Sequence, residues 1–277
     1  MKRIILLCAV GAALVVVAVA SAATGRKAAA ALPVIGISEV NKTVTVSGTP
    51  QSGATELDFT TDLKAKGLES GTTLGLIHLN PGVTPEQFSA GIKPDGSNLD
   101  QFGSLDTTQG VSKGETIKIQ TVLKAGQYVV ADLNAPPKSN LHTVVNVAQS
   151  AAPAALPAAD ATIRMKDYRF TGPRVLKRGE LVRIENTGKE QHMAVALKVR
   201  NGRAAKKIEA LLRKGKDRQV EKGLKVVGDL QDDVSPGAIN QGVLTLPRGT
   251  WVLACFMTTA KGVEHTRLGM ERTLVVK

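Results

Sequence analysis

Two cysteines in 277 residues leave no room for a disulfide framework. One, Cys8, lies within the apolar residues 4–20, which follow the basic start Met1-Lys2-Arg3 and lead into Ala20-Ser21-Ala22. A basic start, an apolar core and an A-x-A site are the parts of a secretory signal peptide, so residues 1–22 are expected to be cleaved and Cys8 lost with them. Left uncleaved, the same stretch would serve as an N-terminal anchor, and only then would the chain meet a membrane through it. Cys255 is then the one cysteine of an exported protein, secreted or held in the cell envelope. It must be buried, joined to another chain or bound to metal.

Aromatic residues are also scarce, at 3% of the chain. With export, that argues against a nucleic-acid platform despite a net charge of +12. No G-x-S-x-G elbow, H-E-x-x-H pair or phosphate-binding glycine loop occurs, so the common hydrolase and nucleotide chemistries lack their residues.

What is present has the pattern of β structure. Residues 43–47, 116–120, 127–131, 181–185, 193–197 and 251–254 are short β-branched or apolar runs, separated by Gly, Pro, Asn and Asp. Residues 85–90 and 203–214 read instead as short helices. The second carries Ile208, Leu211 and Leu212 on one face, with Arg203, Lys206, Lys207, Arg213 and Lys214 around it. The expectation is an all-β chain of two sandwiches, each with a helical insertion. The basic helix would be a solvated cover over a sandwich edge or a docking face for an acidic partner.

Composition places the boundaries. Residues 150–160, rich in Ala and holding Pro153 and Pro157, read as a semi-rigid linker. Residues 161–277 hold 24 Lys or Arg against 12 Asp or Glu, whereas residues 1–160 hold 12 of each. The expected order is signal peptide 1–22, flexible segment 23–39, first domain 40–149, linker 150–160 and second domain 161–277. An internal repeat joins the halves. Val111-Ser-Lys-Gly114 aligns with Val234-Ser-Pro-Gly237, and Gly126-Gln-Tyr-Val-Val-Ala-Asp132 with Gly249-Thr-Trp-Val-Leu-Ala-Cys255, at a constant offset of 123. That offset sets Asp132 against Cys255 and His142 against His265, while alignment of the helical segments sets His78 against Lys198. The first domain is thus expected to be a degenerate copy without the donors of the second.

Those donors are His192, Cys255, His265 and Met270. Each has an ordinary reading alone: a small buried thiol, a strand-end imidazole, a loop residue, a core thioether. Together they are a thiolate, two imidazoles and a thioether, the combination that suits copper in its +1 and +2 states.

Residues 167–192, with Asp167-Tyr-Arg-Phe-Thr-Gly-Pro173, Arg183-Ile-Glu-Asn-Thr-Gly188 and His192, resemble the N-terminal strands and first histidine of cupredoxins, the plastocyanin and azurin group. Pro247 to Phe256, followed by Gly262-Val-Glu-His265 and Gly269-Met270, is similar to that family's closing strand and ligand loop. The resemblance covers residues 160–277 directly and residues 40–148 through the repeat. It implies two tandem cupredoxin-like Greek-key β-sandwiches, with one type 1-like copper ion on His192, Cys255, His265 and axial Met270. The implied role is one-electron transfer or copper carriage, with an acidic redox partner or an anionic envelope surface meeting the basic second domain. A metal-free adhesion or scaffold module with the same fold is the alternative. Multicopper oxidases and copper nitrite reductases are linked cupredoxin domains, but four histidines cannot furnish their extra copper centres, so a non-enzymatic protein is expected. An interdomain copper on His78 and His142 is the one arrangement that the count leaves open. Asn186 is expected to orient the ligand rings and Trp251 and Phe256 to keep the site dry, with Glu264 a candidate extra oxygen donor. Nine residues separate Cys255 from His265, more than in small blue-copper proteins, which implies a looser ligand loop.

Overall fold

The computed structural model describes residues 31–65, 70–93, 96–135, 142–221, 224 and 227–277, so the expected signal peptide lies outside the described residues. Its first half comprises β1 (Val34–Val40), β2 (Thr43–Ser47), β3 (Gly53–Thr61), β4 (Thr72–Leu79), α1 (Pro85–Gly91), β5 (Gly103–Val111), β6 (Ile117–Leu123), β7 (Gly126–Asp132) and β8 (His142–Val147). The second half comprises β9 (Ala161–Lys166), β10 (Arg169–Thr171), β11 (Val175–Leu176), β12 (Leu181–Asn186), β13 (His192–Val199), α2 (Gly202–Arg213), α3 (Asp217–Glu221), β14 (Val227–Val234), β15 (Ile239–Val243), β16 (Gly249–Ala254) and β17 (Glu271–Val276).

Alternation along the strands builds the layers, because successive side chains on a strand face opposite ways. Trp251, Leu253 and Cys255 enter the core between the two sheets of the second half, together with Ala194, Ala196, Met270 and Ile163. Val252, Ala254, Val195 and Leu197 point the other way and pack under Ala205 and Leu212 of α2. The basic helix therefore covers the outer face of the β13–β16 layer rather than its edge. The Asn201 side chain caps it by accepting from the Ala204 amide. The matching helix α1 starts with a capping box between Thr84 and Gln87 and with Pro85 in its first turn.

The expected flexible segment 23–39 ends too late. Val34–Val40 is a strand, parallel to β3, with Ile35, Ile37 and Glu39 buried on one side. A charged residue at the third inward position breaks the apolar alternation, which hides the strand from pattern reading. Glu39 is tolerated there because its Oε2 accepts from Thr72 Oγ1 at 2.6 Å.

The halves are also more than tandem. An eight-stranded sheet runs β10-β9-β12-β15-β6-β3-β1-β2, crossing from one half to the other where β15 pairs antiparallel with β6, Asn240 opposite Thr121. The remaining sheets, β11-β17-β16-β13-β14 and β5-β4-β7-β8, close one sandwich each. Across the seam Ser235 and Leu105 exchange two hydrogen bonds, and Asn240 Nδ2 donates to the Asp106 carbonyl. The Ala/Pro segment is strapped down as well: the Ala154 carbonyl accepts from the Ala54 amide, and that of Pro157 accepts from Arg183 and Gln241.

Strand registers extend the internal repeat. In the first half Gly75 lies opposite Ala131 and His78 opposite Tyr128; in the second Val195 lies opposite Ala254 and Lys198 opposite Trp251. Thr72 is therefore the counterpart of His192, and Asp132 that of Cys255. Even the cross-strand pair is kept in kind: His78 stacks on Tyr128 at 4.5 Å, and Lys198 Nζ stands 5.2 Å from the Trp251 ring centre. The expected match of His142 with His265 is corrected. His142 pairs with Ala131, whereas the partner of Ala254 is Glu271. The connection from β7 to β8, residues 133–141, is also shorter than the one from β16 to β17, residues 255–270, which bears His265.

Candidate metal centre

His192 opens β13, and the bonds of Asn186 hold the turn that delivers it. Asn186 Nδ2 donates to the carbonyls of Glu190 at 2.9 Å and Val234 at 3.0 Å, and its Oδ1 accepts from the Gly188 amide. Asn186 thus supports the backbone ahead of the histidine and bonds neither ring, which corrects its expected role. Cys255 follows the last residue of β16. Its amide donates to the Met270 carbonyl, the Met270 amide to the His265 carbonyl, and the His265 amide to the Met257 carbonyl. The nine intervening residues are not slack: Thr259 and Val263 bond each other, Gly262 turns back on Thr259 at φ 74°, and Thr258 bridges Glu264. His265 then begins a short 3-10 turn, His265–Leu268, ended by Gly269 at φ 99°. Only glycine takes that left-handed conformation without strain, so the Gly-Met pair marks the place where the chain re-enters the core as Met270.

These two segments bring three donor atoms together. His192 Nδ1 and His265 Nδ1 are 3.2 Å apart, and Cys255 Sγ lies 3.8 Å from the first and 3.4 Å from the second. Among the described residues this is the one cluster of three such donors, and all three side chains are fully buried. A point in their plane lies about 2 Å from each atom, close to the ~2.0–2.3 Å at which imidazole nitrogen and thiolate sulfur bind a borderline-soft ion. The triangle thus has the size of a metal site. Met270 is fully buried in the same core as Cys255.

Outer partners fix which nitrogens face inward. His265 Nε2 lies 2.8 Å from Glu190 Oε2, and His192 Nε2 lies 3.4 Å from Asp167 Oδ1. With Nε2 protonated toward these carboxylates, both Nδ1 lone pairs are left for an ion. Tyr168 completes the cap: its hydroxyl donates to Glu190 Oε1 at 3.0 Å and its ring meets His265 edge to face at 5.2 Å. Neither carboxylate was singled out from the sequence. The strand registers, not the sequence repeat, align the turn that carries Asp167 and Tyr168 with Asn41 and Lys42 in the half without the donors.

Burial sets the protonation of the metal-free cluster. It pushes the Cys255 thiol up to about 12, against the opposing pull of the Met193 and Met257 amides. It drives His192 down to about 4, helped by His265, and lowers His265 as well. The metal-free protein therefore holds a neutral thiol and two neutral imidazoles at pH 7, and an ion would displace one proton, from sulfur.

Other expected members lie elsewhere. Phe256 packs on the α2 side of the sheet, since it alternates with Cys255, so only Trp251 shares the cysteine's face. The Glu264 carboxylate bonds the Thr266 hydroxyl and is not part of the donor cluster. Neither His78 nor His142 joins such a cluster among the described residues. In the first half, Thr72 stands where His192 would, and Glu39 holds its hydroxyl.

No family model matches the sequence, and no curated protein does. Similar solved structures include the dithionite-reduced auracyanin of the photosynthetic bacterium Roseiflexus castenholzii, 19% identical over 43% of this chain and 99% of that one, TM-score 0.28. A multicopper oxidase is 13% identical over 88% of both chains, TM-score 0.23. The copper nitrite reductase of Nitrosomonas europaea is 12% identical over 88% of this chain and 93% of that one, TM-score 0.23. On its own paired sheets, strand-end histidine and cysteine just after β16, the chain has a cupredoxin-like fold, with a His-Cys-His cluster that is a candidate metal site.

Proposed function

We propose that the protein binds one copper ion, which His192 Nδ1, Cys255 Sγ and His265 Nδ1 would hold with Met270 as a further thioether donor, and serves outside the cytoplasm as a one-electron carrier or copper carrier. The observation that carries this reading is the fully buried donor triangle, with sides of 3.2, 3.4 and 3.8 Å. When bound, copper would supply one-electron chemistry between its +1 and +2 states. The protein's own part is to hold the donors apart at ligand spacing, to orient both rings through Asp167 and Glu190, and to exclude water with a core of Trp251, Leu253 and Met270. The histidine count favours a carrier over a copper enzyme, since two of the four histidines lie in this cluster and only His78 and His142 remain.

Export is supported by the signal-like residues 1–22. No described helix is long and apolar enough to cross a membrane. The exposed Arg203, Lys206, Lys207 and Lys214 of α2 and its C-cap support docking to an acidic partner or an anionic envelope surface.

The test is to add Cu(II) to the purified metal-free protein. An intense visible band from thiolate-to-copper charge transfer and a rise in melting temperature are expected, both lost in Cys255→Ser. A serine variant that binds copper as tightly as the wild type would refute the site. The metal-free scaffold reading gains support from the first half, which keeps the sandwich without the donors; it predicts no colour and no thermal shift.

A further inference from the structure

Two carboxylates lie directly outside the donor triangle, one on each imidazole. Glu190 Oε2 is 2.8 Å from His265 Nε2, and Asp167 Oδ1 is 3.4 Å from His192 Nε2. Both side chains are about one-third exposed, at 35% each, whereas the rings they touch are buried. The arrangement is built rather than incidental. Glu190 is gripped from its other oxygen by the Tyr168 hydroxyl, and Asp167 Oδ1 also accepts from the Lys189 amide at 2.7 Å. Tyr168, at φ 61°, meets His265 edge to face at 5.2 Å. The half that lacks the donors has neutral Asn41 and basic Lys42 at this turn, also at positive φ. The turn geometry is therefore common to both halves, and the acid belongs to the donor-bearing one.

Charge arithmetic gives these groups a consequence. A thiolate with Cu(II) carries a net +1, and with Cu(I) it is neutral. Two negative charges just beyond the rings stabilise the first state more than the second. We propose that Asp167 and Glu190 set the redox preference of this centre, holding its copper toward the +2 state. The inference rests on the copper reading of the same cluster.

The experiment uses the full chain loaded with copper, as wild type, Glu190→Gln, Asp167→Asn and Tyr168→Phe. Cu(II) and Cu(I) affinities are measured by competition with chelators, and the reduction potential by titration against one-electron mediators. Gln and Asn keep an oxygen that can accept from Nε2 and remove the charge, while Tyr168→Phe controls for the Tyr168 bond that the Gln amide nitrogen can no longer accept. Glu190→Gln is expected to raise the potential and to lower the ratio of Cu(II) to Cu(I) association constants about tenfold, the size of one partly exposed charge a ring-width from the ion. Asp167→Asn should shift both in the same direction but less, because its contact is longer. Tyr168→Phe leaves both charges in place and should change the ratio by less than about twofold. If the ratio and potential stay put in both charge-removing variants while the visible band shows copper bound, the charge account is wrong and the copper reading survives. A shift in Tyr168→Phe as large as that in Glu190→Gln would replace charge with ring positioning as the cause. If the wild type takes up no copper, the copper reading fails and this inference goes with it.

Discussion

Gly188 shows how closely the donor cluster is packed. A Cβ at this position would meet His192 Nε2 at 2.6 Å and Asp167 Oδ1 closer still, so the absence of a side chain is what lets the carboxylate lie against the ring. Gly188→Ala is expected to displace one of the two and weaken copper binding about 10–100-fold, the usual effect of losing an outer partner of a metal-bound histidine. Gly202→Ala is the control, since a Cβ there meets nothing within 4 Å and copper affinity should be unchanged. Equal loss in both variants, read by chelator competition, would rule out the packing explanation. The residue scale is also where sequence reading is weakest. His192, Cys255 and His265 are legible as donors because imidazoles and thiols are rare in this chain. Asp167 and Glu190 are two of 24 acidic residues, and nothing in their types sets them apart.

At the scale of elements, α2 has two roles that its sequence blends. Its apolar side, including Ala205 and Leu212, roofs the outer face of β13 and β16, the strands that lead to His192 and to Cys255. Its C-terminal turn is tied to the start of β17 by an ion pair between Arg213 and Glu271, and Glu209 accepts from Thr273 at 2.7 Å. Leu212 is fully buried, so Leu212→Ala should cost about 2–5 kcal/mol in denaturant unfolding. A value under 1 kcal/mol, as expected for an exposed site, would mean that the helix is not a load-carrying cover. The nine-residue loop before His265 follows the same logic. Its length suggested looseness, but length alone does not set stiffness. The Thr259–Gly262 turn and the Thr258–Glu264 bridge tie it across its width.

At the scale of the whole molecule, the seam between the halves is polar and partly titratable. Asp232 Oδ2 accepts from the Gly110 amide at 2.9 Å across it, and the Thr108 hydroxyl donates to the Asp233 carbonyl. Burial pushes the Asp232 carboxyl up to about 6, the Gly110 amide opposing. A folded-state value above the unfolded one near 3.9 means that the folded protein binds this proton more tightly. Its contribution to stability is full below about pH 4 and is lost as pH rises through about 6. The melting temperature should therefore hold an Asp232-dependent component that falls between pH 4 and pH 7, and Asp232→Asn should flatten that component. A parallel pH profile in the variant would place the titration elsewhere.

Composition and period alone determine that this is an all-β chain with a helical insertion in each half, a repeat, and one set of soft donors in its second half. Those features follow from local rules: side chains alternate on strands, recur every three to four residues on helices, and carry their ligand chemistry wherever they sit. Tertiary structure decided what local rules cannot reach. It joined the two halves through β6 and β15, because unpaired strand edges find partners regardless of distance in sequence. It set His142 against Ala131 rather than in a ligand turn, because register is fixed by neighbouring strands and loop length. It also brought Asp167, Tyr168 and Glu190 over two imidazoles from separate turns, a meeting that only the packed sandwich produces.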